Sequence, residues 1–182
     1  MNRYDQLVDL IGMARPQFIV EVGTHRGTRA MVMCQVALAH RNDVRYLGFD
    51  LFESATPQTN AAEMNGKGSA ERQTAAQKLQ ILKDNNPGFT FELIQGNTRD
   101  TLHGKNIMAD FVFIDGGHSI ETIRGDYEAL KHSRYIVFDD YYMGGVDTSK
   151  FGCNAVLADV PHQVLPVEDT FGDTRIRMAM RT

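Results

Sequence analysis

The chain has 182 residues and a mass of 20.4 kDa, a length that favours one domain, because a second core would leave each half marginal. Hydrophobic residues make up 42% and charged residues 23%, which excludes the disordered class. The 19 basic and 23 acidic side chains leave a net charge of -4, so affinity built on nucleic-acid phosphates, which needs a basic surface, is not expected. No apolar run approaches the roughly 20 residues that span a bilayer. Asp5 and Asp9 interrupt the N-terminal stretch where a signal peptide would be apolar. Cys34 and Cys153 are too few for a disulfide framework. These features lead us to expect a soluble, cytoplasmic chain folded as a single domain over 1–182, with no nucleic-acid or membrane partner.

Leu7, Val8, Leu10 and Ile11 place an amphipathic helix over Tyr4 to Met13, ended by Pro16. QFIVEVG reads as a buried strand stopped by glycine, Arg26 to His40 as a helix, and VRYLGFD as a second strand. Leu51 to Gly68 is polar and loop-like, and SAERQTAAQKLQILKDN is a helix of good formers closed by Asn85-Asn86-Pro87-Gly88. FTFELIQG and ADFVFIDGG are the third and fourth strands. SIETIRGDYEALKHS is a helix, RYIVFDD a fifth strand, and KFGCNAVLADV a further helix. QVLPVED and RIRMAMR, around a FGDT turn, form a terminal hairpin. Strands alternating with helices imply an α/β three-layer sandwich: a doubly wound, mainly parallel, seven-stranded sheet ending in an antiparallel hairpin.

In such sheets ligands bind beyond the carboxyl ends of the strands. Those ends are unusually polar here. Glu21 and Gly23-Thr24-His25-Arg26-Gly27 follow the first strand, Asp50 the second, Gly96-Asn97 the third, Asp115-Gly116-Gly117-His118 the fourth, and Asp139-Asp140 the fifth. The Gly23-x-x-x-Gly27 spacing is not the G-x-G-x-x-G that seats a pyrophosphate, and alone it is equally a plain strand-to-helix turn. Glu21 would repel a phosphate and suits a ligand with positive charge. Asp50, at the end of the next strand, can accept from two vicinal ribose hydroxyls. A sulfonium nucleoside with an amino-acid tail fits both.

The series VEVGTHRG, YLGFDLFE, IQGN, FVFIDGGHS and IVFDDY resembles the class I S-adenosylmethionine-dependent methyltransferases, and among them the macrocin O-methyltransferase-like subgroup. The likeness runs from about Gln17 to Tyr142. It implies that Glu21, Gly23, Thr24 and Gly27 line the methionine part of S-adenosyl-L-methionine, that Asp50 holds the ribose, and that Leu51 and Phe52 pack near the adenine. It also implies that Asn97 faces the adenine edge or the ribose, and that Asp115, Asp139 and Asp140 bind magnesium.

Magnesium takes hard oxygen ligands and keeps several waters, so two or three carboxylates suffice. Side chains alternate along a strand, so Asp139 and Asp140 converge only where it turns into a loop. The other reading of Asp140 is a loop cap. His118 follows a two-glycine turn three residues after Asp115, where a neutral imidazole could take the proton of an acceptor hydroxyl; a supporting role beside the site would look the same. Some family members carry an aspartate two residues after the fourth-strand acid; Gly117 stands there in this chain. The resemblance, together with the logic of metal activation, implies O-methylation of a small-molecule hydroxyl, sugar or natural-product-like, assisted by a divalent metal, with Asp115 and His118 as catalytic residues. Phe52 to Ser69, within an insertion over 52–88, reads as a lid or as a tolerated surface loop. The acceptor would be bound by these loops or by a neighbouring subunit of a homo-oligomer. The alternatives are a nicotinamide-dependent oxidoreductase and a catalytically silent cofactor-binding subunit.

Overall fold

The computed structural model describes residues 2–64, 66 and 68–182; Met1, and Asn65 and Lys67 of the expected lid, lie outside the described residues. Helix α1 (Arg3–Ala14) starts under a capping box in which the Asn2 side chain accepts from the Tyr4 N–H and the Asp5 carboxylate accepts from the Asn2 N–H. Its buried Leu7 and Ile11 stand four residues apart, on one face. Then follow β1 (Phe18–Val22), α2 (Thr28–Leu38), β2 (Val44–Asp50), α3 (Pro57–Ala62), α4 (Arg72–Asn85) and β3 (Phe89–Gln95). The chain continues through α5 (Thr98–Thr101), β4 (Phe111–Ile114), α6 (Ile120–Leu130), β5 (Tyr135–Gly144), α7 (Asn154–Leu157), β6 (His162–Phe171) and β7 (Thr174–Arg181).

The seven strands form one sheet in the order β3-β2-β1-β4-β5-β7-β6. The first five pair in parallel, and β7 joins β5 and β6 antiparallel, as the terminal hairpin requires. Alternation along the strands feeds two cores. Ile19, Tyr46, Phe111 and Phe113 pack with α1, α2 and α4 on one face, while Val20, Leu47, Val112 and Ile114 pack with α6 and α7 on the other. Each such side chain contributes about 1.5–3 kcal/mol of burial free energy. The order reverses between β1 and β4, the point where a doubly wound sheet opens a crevice at its carboxyl edge.

Two stretches depart from the periodicity. The polar segment expected as a loop holds a 3-10 turn (Phe52–Ser54) and α3, because Thr56 caps the helix through its side chain and Pro57 occupies its first turn. The helix expected over 150–160 is reduced to the four residues of α7, whose N-cap Cys153 makes no side-chain capping bond.

Candidate active site

The turn from β1 to α2 is built on close approach. At Gly23 φ is +95°, and a Cβ would stand 1.9 Å from the Asp115 carbonyl oxygen. Only glycine can hold that backbone against the loop that follows β4. Gly27 meets a different neighbour. A Cβ there would lie 2.9 Å from the Ala75 Cα, so this glycine lets α4 pack onto the start of α2. Behind the turn Glu21 is fully buried and accepts from the Tyr46 hydroxyl, which also lies 3.0 Å from Thr24 Oγ1. Burial pushes its carboxyl up to about 8, the Tyr46 hydrogen bond opposes that rise, and the Asp50 charge adds to it.

Asp50 ends β2 with both oxygens braced by backbone donors, the His25 N–H at 2.7 Å and the Phe52 N–H at 2.7 Å. Asn97 caps α5, accepting from the Arg99 N–H at 3.0 Å. Gly23, Thr24, Asp50, Leu51 and Asn97 line one cavity of about 650 Å³, and so do Asp115 and His118. Three residues expected on that wall stand off it. Glu21 is sealed behind the turn, Gly27 faces α4, and Phe52 is buried in the protein interior at 0% exposure.

The acids at the end of β5 part company. Asp139 is fully buried at its side chain and is held by Arg3, whose Nε donates to Oδ1 at 2.7 Å and Nη2 to Oδ2 at 2.9 Å. The Tyr4 hydroxyl also donates to Oδ2, at 2.9 Å. Arg3 reaches Asp169 of β6 as well, at 2.7 Å. Asp140 adopts φ +58° within an irregularity of the β5–β7 pairing and turns to the other side, where its Oδ2 lies 2.9 Å from His118 Nε2. Asp115, His118 and Asp140 each offer a ligand atom within 4.8 Å of the others.

The structure thus brings Asp115, Asp140 and His118 together, and not Asp139, which was expected to join Asp115 and Asp140. The strand does not turn into a loop at the acidic pair; it runs on to Gly144 through the irregularity at Asp140, which sends the two side chains apart. Sequence reasoning missed Arg3 and Tyr4. Tyr4 lines the cavity from α1, and its ring lies under the Arg29 guanidinium at 3.6 Å. Burial and the charges of Asp115 and Asp139 push its phenol above the ordinary range, so it remains a donor. No local pattern marks these two residues, because the carboxylates they hold, Asp139 and Asp169, lie more than a hundred residues away. Glu63, which also lines the cavity, was passed over inside the polar stretch.

The family described as a methyltransferase domain matches residues 20–141. No curated protein sequence matches the chain. Among solved structures, the O-methyltransferase TomG of Streptomyces achromogenes, involved in tomaymycin synthesis and determined with S-adenosylmethionine, has a TM-score of 0.59 at 18% identity, over 97% of this chain and 78% of its own. An O-methyltransferase from Bacillus cereus, determined with S-adenosylhomocysteine, has a TM-score of 0.56 at 17% identity, over 97% and 79%. At these identities the likeness is one of fold. With the family match spanning β1 to β5 and every strand end that lines the cavity, the chain belongs to the methyltransferase domain family.

Proposed function

We propose that this chain transfers the methyl group of S-adenosyl-L-methionine to a hydroxyl oxygen of a small molecule. One observation carries the reading: a single cavity joins the braced carboxylate of Asp50 to Asp115 and His118, through the close packing of Gly23 on the Asp115 peptide. Asp50 is set to accept from ribose hydroxyls, Leu51 to cover the adenine, and Asn97 to border it. Gly23 and Thr24 flank the methionine part, with Glu21 and Gly27 supporting the turn from behind. The cofactor supplies an electrophilic methyl on a sulfonium centre.

A divalent cation would fit beside it on a set of two carboxylates, Asp115 and Asp140, each offering an oxygen within 4.8 Å of the other, and would leave His118 to act as base. Such an ion, magnesium or a similar cation, would lower the pKa of an acceptor hydroxyl. Asp139 is committed to Arg3 and Tyr4 and takes no part in that set. Asp140 orients His118, and the His118–Asp140 pair takes the hydroxyl proton, the carboxylate stabilising the imidazolium that results. The bound cofactor would supply the methyl group and would keep the C–S electron pair on sulfur as the new C–O bond forms. Alignment of donor and acceptor is the chain's largest contribution.

The test is formation of S-adenosylhomocysteine over a panel of phenols, catechols and sugars, with and without a chelator. Turnover on at least one acceptor is expected, and His118→Ala should lower it about a hundredfold or more with cofactor affinity little changed. A wild-type rate in that variant removes His118 from proton transfer. Cofactor binding with no turnover on any acceptor favours a silent subunit.

A further inference from the structure

Helix α3 buries no residue of its own, yet Gln58, Thr59 and Ala62 border the cofactor cavity. Its last turn is tied down by polar contacts. Glu63, the C-cap of α3, reaches the first turn of α6: Oε2 accepts from the Ser119 N–H at 2.8 Å, and Oε1 accepts from Ser119 Oγ at 3.0 Å and Thr122 Oγ1 at 2.7 Å. Ser119 is the N-cap of α6, so this carboxylate lies at the positive end of an eleven-residue helix. Gly117 makes the approach possible, since a Cβ there would stand 2.5 Å from Glu63 Oε2.

The same loop is clamped at its other end. Gly23 packs on the Asp115 carbonyl, and a Cβ at Gly116 would meet Val22 Cγ1 at 2.8 Å. Asp115 and His118 therefore hang between a fixed clamp on β1 and a second clamp whose other half is the segment beside the cavity. The two glycines of Gly116-Gly117 serve one clamp each.

We propose that Glu63 is a positioning residue: it joins α3 to the Asp115–His118 loop, so that retention of the cofactor and order in that loop rise and fall together. The inference rests on the reading of the cavity as an S-adenosylmethionine site. A ligand that holds α3 in place holds Glu63 against Ser119 and fixes the loop, and by linkage an ordered loop retains the ligand.

Two measurements on the full chain test this, with S-adenosylhomocysteine as the probe: its dissociation rate by displacement, and hydrogen exchange across residues 116–122 with and without it. Glu63→Ala should release the probe about tenfold faster and lose the protection that the probe confers on 116–122. Gly117→Ala, which leaves Glu63 in the chain but crowds its carboxylate, should behave alike, and the double variant should be no worse than either single one. Glu63→Gln, keeping an acceptor oxygen without the charge, should fall between. Wild-type release and wild-type protection in Glu63→Ala would overturn the proposal. If the wild-type chain does not bind the probe, the cofactor reading is what fails. Exchange without ligand then still decides: faster exchange across 116–122 in Glu63→Ala supports the clamp, and unchanged exchange overturns it.

Discussion

At Glu21 a carboxyl group is sealed inside the protein, on the strand that leads to the glycine turn, with one hydroxyl donor from Tyr46 to satisfy it. Burial raises it from an ordinary 4.5 to about 8. Between those values the folded chain binds a proton that the unfolded chain has released, so stability falls as pH rises through that window. Thermal unfolding followed from about pH 5 to about pH 9 should show a declining midpoint, and Glu21→Gln should flatten the decline without lowering stability at the acid end. Equal slopes in the two proteins would mean that Glu21 ionises as readily when folded as when unfolded. The position was legible as an acid before a glycine turn; its depth was not. In the sequence it reads as a group facing a cationic ligand. Tyr46, which turns it into a support for the turn, lies 25 residues away on the neighbouring strand.

Helix α1 is fastened to the sheet by polar side chains, with the Arg3 guanidinium foremost and Tyr4 and Gln6 beside it. Arg3 is 5% exposed and bridges Asp139 on β5 to Asp169 on β6. Removing it strands a buried carboxylate, so Arg3→Ala should cost about 3–5 kcal/mol, read from denaturant unfolding. The paired change Arg3→Met with Asp139→Asn removes both charges and should recover most of that loss. If the double variant is as unstable as Arg3→Ala, the helix is held by other contacts. This fastening also explains why adjacent aspartates do different work: the irregularity in β5 sends Asp140 toward His118 and leaves Asp139 to the helix. Element types were largely legible, since β2 spans the VRYLGFD run itself and α4 ends at the Asn-Asn-Pro-Gly punctuation. Helix α3 was readable too, from Thr56 before Pro57, but a short polar helix with no buried face gives no hydrophobic period to follow. The irregularity at Asp139 and Asp140 left no trace in the sequence, because it arises from pairing with β7, some forty residues on.

Across the whole molecule, the sheet converts a scattered set of strand-end residues into one cleft. Because β1 and β4 are neighbours at the point of reversal, the turn after one and the loop after the other pack atom on atom, at Gly23 and Asp115. Topology of this kind follows from alternating strands and helices, and it is why Asp50, Asn97, Asp115 and His118 could be assigned to one edge from sequence alone. What the pattern could not supply were the contacts between distant segments: Arg3 on Asp139, and Glu63 on Ser119. We propose that this cleft holds a nucleoside whose ribose Asp50 reads. Titration calorimetry with S-adenosylhomocysteine decides whether it does. We expect saturable binding at one site per wild-type chain and affinity at least about tenfold weaker in Asp50→Ala, since charged hydrogen bonds of this kind contribute about 1.5–3 kcal/mol each. Undiminished affinity in Asp50→Ala, or no binding by the wild-type chain, would contradict it.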